Sequence, residues 1–183
     1  MITLVSMIRG INVAGSRPLK MDRLRGIHED LGYRGVRTYL QSGNAVFEAA
    51  DEDADRHGDA IARRIMRDCG YDVAVAVRSS RAMTQALASN PLLGRAKVDP
   101  RFLHATFLVG PPGRPSLAGV DLPLAKGEEA VLSGDIVYVY CPLGYGITKI
   151  NNNFFERKLS LRATTRNWQT LTALERMARG GEP

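Results

Sequence analysis

Cysteine, tryptophan and histidine are scarce in this chain: two, one and three in 183 residues. Cys69 and Cys141 stand far apart and no Cys-x-x-Cys pair occurs, which leaves neither a zinc ribbon nor a thioredoxin-type site. Two buried thiols in a reducing compartment are expected. His28, His57 and His104 are scattered, so no metal-ligand spacing forms with cysteines or carboxylates, and no metal or cofactor is expected. None of the three histidines sits in a motif with Ser42, so a serine nucleophile with its base is not readable there. Long apolar runs are also missing. Leu4 to Ile8 is apolar apart from Ser6, and Arg9 interrupts after a strand's length. Neither a signal peptide nor a membrane-spanning segment is therefore expected. A cytoplasmic protein with no membrane partner is expected.

What remains is ordinary for a globular chain: 44% hydrophobic and 24% charged residues, enough to bury a core without disulfides or metal. The net charge of +6 is unevenly spread. Residues 1–47 carry +4, residues 48–59 carry −5, residues 60–144 carry +3 and residues 145–179 carry +5. A basic surface attracts phosphate-bearing ligands. Solvated arginines on helix faces would give the same composition without any ligand.

Hydrophobic periodicity places a strand at Ile2–Ile8, a helix at 20–31, strands at Val36–Gln41 and Asn44–Glu48 joined around Ser42-Gly43, a helix after the acidic stretch 51–59, and a strand at Tyr71–Val77. This order is the split βαβ, ferredoxin-like unit, predicted for residues 1–78. Residues 79–183 are read as a second, altered ferredoxin-like subdomain packed with the first. Its elements are a helix at 79–89, a strand at 102–109, a Pro/Gly-rich connection at 110–123 with room for a short helical turn, a hairpin at 128–140, and helices at 149–159 and 167–179. The fold class is therefore α+β. No internal repeat is visible in the residues themselves.

Three segments place glycines and polar groups at strand ends. The first is Arg9-Gly10-Ile11-Asn12-Val13, continuing to Arg17. It follows a buried strand and precedes a helix, where backbone N–H groups gather and anions bind, and its glycines let a ligand approach the backbone. The second is Gln41-Ser42-Gly43-Asn44. It reads as a hairpin turn, or as hydrogen-bonding groups aimed at a ligand. The third is Gly144-Tyr145-Gly146-Ile147-Thr148-Lys149, followed by Asn151-Asn152-Asn153. Thr148 is the expected cap of a helix starting at Lys149, and the glycines with Lys149 favour phosphate. Their spacing is not that of a Walker A loop. Three consecutive asparagines oppose helix propensity, a local conflict that marks a functional or specially bonded position. A fourth segment, Ala163 to Trp168, offers Arg166 and Asn167 beside a threonine cap. Trp168, Leu171 and Leu174 read as an apolar stripe. Glu156 is the one acid within reach of the third segment.

These four segments, with Val46-Phe47 after the second, resemble the signature segments of the Domain of Unknown Function 1697 family of bacteria. The resemblance runs from about residue 2 to 178. Two positions depart from its pattern. Ala14 stands where a second glycine is usual, and Ile147-Thr148 stands where Arg-Ser is common, which removes a positive charge. The resemblance implies an α+β fold with ferredoxin-like subdomains and implies no activity.

The leading expectation is a binding protein for a phosphate-bearing ligand, nucleic acid or nucleotide. Arg9, Lys149 and Arg166 would contact phosphate, while Asn12, Ser42, Asn44 and Asn153 would orient it. Gly10, Gln41, Tyr145, Gly146 and Asn167 complete the candidate ligand-binding set. By analogy with ferredoxin-like RNA binders, Tyr39 and Phe47 would offer stacking rings on a sheet face. Two alternatives remain open: an enzyme acting on a small anionic substrate, with catalytic residues unknown, and a structural or partner-binding module. The oligomeric state is not readable.

Overall fold

The computed structural model describes residues 1–95, 98–110 and 115–183. Among them lie two four-stranded antiparallel sheets and five α-helices, an α+β architecture. The chain divides into two compact units, residues 1–85 with 172–183, and residues 86–171. The last stretch, placed by the sequence reading with the second half, thus groups with the first unit.

The first unit contains β1 (Ile2–Ile8), α1 (Met21–Asp30), β2 (Arg34–Tyr39), β3 (Asn44–Ala49), α2 (Ala54–Cys69) and β4 (Val75–Ser79), followed by the start of α3 (Ser80–Ala88). Its strands lie in the order β2-β3-β1-β4. Every second residue of β1 faces the helices: Leu4 and Ile8 join Phe47, Val75 and Val77 in one buried cluster with Leu24 and Ile27 of α1 and Ile61 and Ile65 of α2. The period-two and period-3.6 stripes read in the sequence meet there. Asp53 caps α2 by accepting from the Arg56 N–H, and Gly70 ends it in the left-handed region. The helix therefore begins inside the acidic stretch that reads as solvated loop.

The second unit contains β5 (Leu103–Val109), β6 (Glu129–Ser133), β7 (Ile136–Tyr140), α4 (Asn152–Leu159) and β8 (Arg162–Asn167), followed by the start of α5 (Trp168–Ala178). Its strand order is β6-β7-β5-β8. Phe154 and Phe155 of α4 pack on Leu108, Val137, Val139 and Ala163. Residues 111–114 of the Pro/Gly-rich connection lie outside the described residues, and its described remainder contains no helix.

Two further differences from expectation bear on the site. The helix expected from Lys149 starts at Asn152, with Asn151 as its cap: the Asn151 side chain accepts from the Phe154 N–H at 3.2 Å. The asparagine run therefore sits at a cap and a first turn, where Asn is favoured, which removes the conflict with propensity. The second difference is β8, which was not expected as a strand. Its threonines, read as helix caps, pair with β5, Thr106 opposite Thr165 and Phe107 opposite Thr164, and the helix behind them starts one residue later.

The inner strands of each sheet bury residues on both faces, while the edge strands β2 and β6 keep half-buried and exposed residues. In the first, Phe47 on one side is fully buried, and Val5, Met7, Val46 and Ala76 on the other are at most 2% exposed. In the second, Phe107, Tyr138 and Thr164 are buried opposite the α4 side. The expected stacking role of Phe47 is therefore corrected: its ring packs on Tyr33 at 4.5 Å and on His28 at 5.1 Å inside the core.

Candidate functional site

The first two segments meet at one end of the first sheet. The Ile8 N–H donates to the Gly43 carbonyl at 2.8 Å, and the Arg9 N–H donates to the Ala74 carbonyl at 2.9 Å. The chain then makes a small finger. The Ser16 N–H donates to the Val13 carbonyl at 2.8 Å, and the Asn12 N–H donates to the Arg17 carbonyl at 3.2 Å. Ala14 and Gly15 form its tip, with φ of 47° and 77°. Both positive angles belong to a type I′ turn, for which two glycines would be the relaxed choice.

Asn12 fixes the base of this finger. Its Nδ2 donates to the carbonyls of Leu19 at 2.8 Å and Gln41 at 2.7 Å, and its Oδ1 accepts from the Leu19 N–H at 2.8 Å. One side chain thus ties the finger to the hairpin turn. Asn44 is fully buried and donates to the Tyr39 carbonyl and to Ser42 Oγ. Asn12 and Asn44, expected to orient a ligand, instead spend these hydrogen bonds on the chain's own groups: Asn12 on backbone, Asn44 on the Tyr39 carbonyl and the Ser42 hydroxyl. Gly43 has φ of 78°, and a Cβ there would stand 2.6 Å from Ile11 Cδ1, so glycine alone fits. Gly10 lies beside the Arg17 guanidinium. Arg17, Lys20 and Gln41 are exposed, Arg9 and Ser42 half-buried. The span Arg9–Lys20 holds three basic residues and no acid. Val13 and Leu40 are exposed apolar side chains on the same loops.

The third and fourth segments meet in the second unit around the Thr165 hydroxyl. It donates to Asn152 Oδ1 at 2.7 Å and accepts from Tyr145 Oη at 3.0 Å. With its hydrogen so committed, the 2.7 Å contact to Thr106 is a donation from Thr106. Tyr145 Oη also accepts from the Asn152 N–H at 3.2 Å. Burial raises the Tyr145 phenol above its ordinary value, so it stays a donor to Thr165. Tyr145 is thereby a strut between the glycine loop and β8. Its ring stacks on His104 at 4.5 Å. His104 Nδ1 donates to the Phe102 carbonyl at 3.2 Å, and burial lowers its pKa, which keeps the ring neutral. Burial likewise pushes the Cys141 thiol up to about 11, despite a hydrogen bond with Thr148.

Arg166 is buried, and its Nη1 donates to Thr164 Oγ1 at 2.8 Å and to the Thr165 carbonyl at 2.9 Å. Burial lowers its pKa to about 10, so it remains a cation at neutral pH. Expected as a phosphate contact, its side chain lies instead among buried residues on the face of the sheet opposite α4, with Thr164. Asn167 Oδ1 accepts from the Thr170 N–H at 2.8 Å and caps α5. Glu156 Oε1 accepts from the Ala163 N–H at 2.9 Å, which makes it a tie between α4 and β8. Gly146, Lys149 and Asn153 are exposed. Among the described residues, no group of three or more His, Cys, Asp or Glu side chains could hold a metal ion. No helix there is long and apolar enough to cross a membrane.

The sequence reading passed over His57 and His104. Each depends on partners outside any local motif: His57 bonds Tyr33, and His104 stacks on Tyr145.

The family described as protein of unknown function (DUF1697) matches residues 1–138. The chain belongs to this family. The resemblance read from the residues is borne out, though the segments at 144–153 and 163–168 lie beyond the matched DUF1697 span. No curated protein matches the chain. Among solved structures it is similar to the conserved bacterial protein SP0830 from Streptococcus pneumoniae, with 20% identity and a TM-score of 0.72, covering 97% of this chain and 98% of that one. At that identity the likeness speaks for the fold of this DUF1697 member, and the site is argued from its own residues.

Proposed function

We propose that the chain binds a phosphate-bearing ligand, a nucleotide or a nucleic-acid backbone, at the paired loops 9–20 and 40–44 of the first unit. One observation carries the reading. Three cations and no carboxylate occupy the span Arg9–Lys20, and the Asn12 side chain holds that span's backbone in place. Neither Arg17 nor Lys20 forms an ion pair among the described residues. Cations on a preorganised loop lose little entropy on meeting an anion. Gly10 leaves the backbone beside Arg17 open to close approach. In the second unit, Lys149 with Gly146 supplies a further exposed cation on a glycine loop. Stacking of RNA on a sheet face gains no support from Phe47, which is fully buried, so loops are the proposed contact.

Each unit is also read here as ferredoxin-like. The order β1-α1-β2-β3-α2-β4 with strands arranged β2-β3-β1-β4 supports this for the first. The matching arrangement β6-β7-β5-β8, with no helix described between β5 and β6, supports an altered version for the second.

A second reading, an enzyme for a small anionic substrate, is favoured by His104. Its Nδ1 hydrogen goes to a carbonyl, which leaves Nε2 with its lone pair as a base. A thermal-shift panel of nucleotides and other phosphate compounds tests the leading reading by linkage. The expected result is a rise in Tm with a phosphate compound that disappears in the Arg17→Ala and Lys20→Ala variants, whose unliganded Tm stays unchanged. A panel without any shift, or shifts equal in the variants, counts against it.

A further inference from the structure

The first sheet has a second open feature at the end away from loops 9–20. A groove of about 480 Å³ is lined by Tyr33, Arg34, Asp51, Arg56 and His57, with Ala49 and Ala60 among its apolar walls. The elements converge there for simple reasons. The chain leaves α1 at Gly32 and enters β2 with Tyr33-Arg34, while β3 ends at Ala49 and turns through Asp51 into α2. Tyr33 and His57 are almost fully buried, at 9% and 5% exposure, yet they form part of the lining.

Three titratable groups form a chain there, and its polarity follows from one carbonyl. His57 Nε2 lies 3.1 Å from the Asp51 carbonyl and 3.3 Å from Asp51 Oδ1. A carbonyl only accepts, so Nε2 carries the hydrogen. With that hydrogen on Nε2, the uncharged form of the ring presents a lone pair at Nδ1, to which the Tyr33 hydroxyl, 2.8 Å away, donates. Tyr33 packs on Phe47 with ring centroids 4.5 Å apart and the planes tilted by 35°, which fixes the ring. Burial, the largest influence on Tyr33, raises its phenol above the ordinary value and keeps that hydrogen in place. The consequence is selective. With its hydrogen committed to His57, Tyr33 Oη can only accept. Arg56 pairs with Asp51, and Arg34 takes no ion pair among the described residues. Among the side chains of the lining, Arg34 is therefore the one cation without a carboxylate partner.

We propose that this groove is a second ligand site, for a small organic anion bearing a hydroxyl group: its acidic group meets Arg34 and its hydroxyl donates to Tyr33 Oη. The site is independent of the phosphate loops, and each stands if the other fails.

The test uses the full chain and two probes, glycerate and propionate, followed by backbone NMR. Both carry a carboxylate, and only glycerate has hydroxyls. Glycerate is expected to shift the Gly32 and Ala50 signals saturably, leaving residues 9–20 unmoved, and to bind about tenfold tighter than propionate. Tyr33→Phe should bring glycerate down to the propionate level and leave propionate unchanged. A purely structural phenol would not split the two probes. Arg34→Ala, an exposed change that leaves the fold intact, should weaken both about tenfold, and it decides the matter if Tyr33→Phe does not fold. The proposal is overturned if neither probe saturates at the groove. It is also overturned if both bind equally to the unaltered chain, if Tyr33→Phe weakens both alike, or if Arg34→Ala changes neither.

Discussion

His28 has two polar partners within the core. Its Nδ1 donates to the Leu24 carbonyl at 2.9 Å, and its Nε2 accepts from Ser6 Oγ at 3.0 Å. Burial outweighs the backbone bond and lowers its pKa from 6.5 to about 4. An unfolded chain takes up this proton near 6.5 and the folded one near 4, so the neutral ring's contribution is complete above pH 6.5 and falls away as the pH drops toward 4. The loss amounts to about 3 kcal/mol. Denaturant titrations across this window should show the decline, and the double variant Ser6→Ala/His28→Leu should show a flatter acid limb. An unchanged slope would mean that His28 does not titrate in this way. Two glycines give a contrast at the same scale. Gly43→Ala forces a Cβ against Ile11 at 2.6 Å with φ of 78°, and should cost about 3 kcal/mol. Gly15→Ala meets open space at φ of 77°, and should cost about 1 kcal/mol of backbone strain alone. Chemical denaturation of the two variants checks the ranking. Equal losses would contradict the packing argument.

At the scale of elements, Asn12 joins two loops, reaching a carbonyl 29 positions along the chain at Gln41. Asn12→Ala removes three hydrogen bonds to backbone, a loss of about 2 kcal/mol. The Leu19 N–H, which donates to Asn12 Oδ1, should then exchange with solvent markedly faster by NMR, while amides of β1 keep their protection. Unchanged exchange at Leu19 would show that the loops hold together without this side chain. The elements also differ in how far they can be read from the sequence. β1, β3, α1 and α2 bury clear apolar stripes, and their periods give them away. β8, with Arg-Ala-Thr-Thr-Arg-Asn, has no such stripe and becomes a strand only through its pairing with β5. The same limit applies to the site. The glycines and asparagines at strand ends mark its location, because positive φ and caps are local needs. The work done by Asn12, Asn44 and Arg166 depends on distant partners and on register, which no local spacing encodes. Tyr33, Asp51 and His57 were missed for that reason: the acidic stretch reads as solvent-facing, while its turn into α2 buries an imidazole.

Across the whole molecule, two units share one order of strands, although their residues show no repeat. Common topology with unlike sequence leaves each unit free to carry its own polar cluster. The first gathers cations on loops 9–20. The second gathers a hydroxyl network around Thr165, with His104 stacked beside it. The charge of +6 adds a general attraction for anions that salt screens. A specific site must show affinity above that background. Calorimetric titration of the full chain with a nucleoside triphosphate, at low and at moderate salt, beside the double variant Arg17→Ala/Lys20→Ala, separates the two. The account predicts saturable binding that persists at moderate salt and falls about a hundredfold in the double variant. Binding undiminished by the double substitution, or absent from the unaltered chain with every phosphate compound tried, would contradict it.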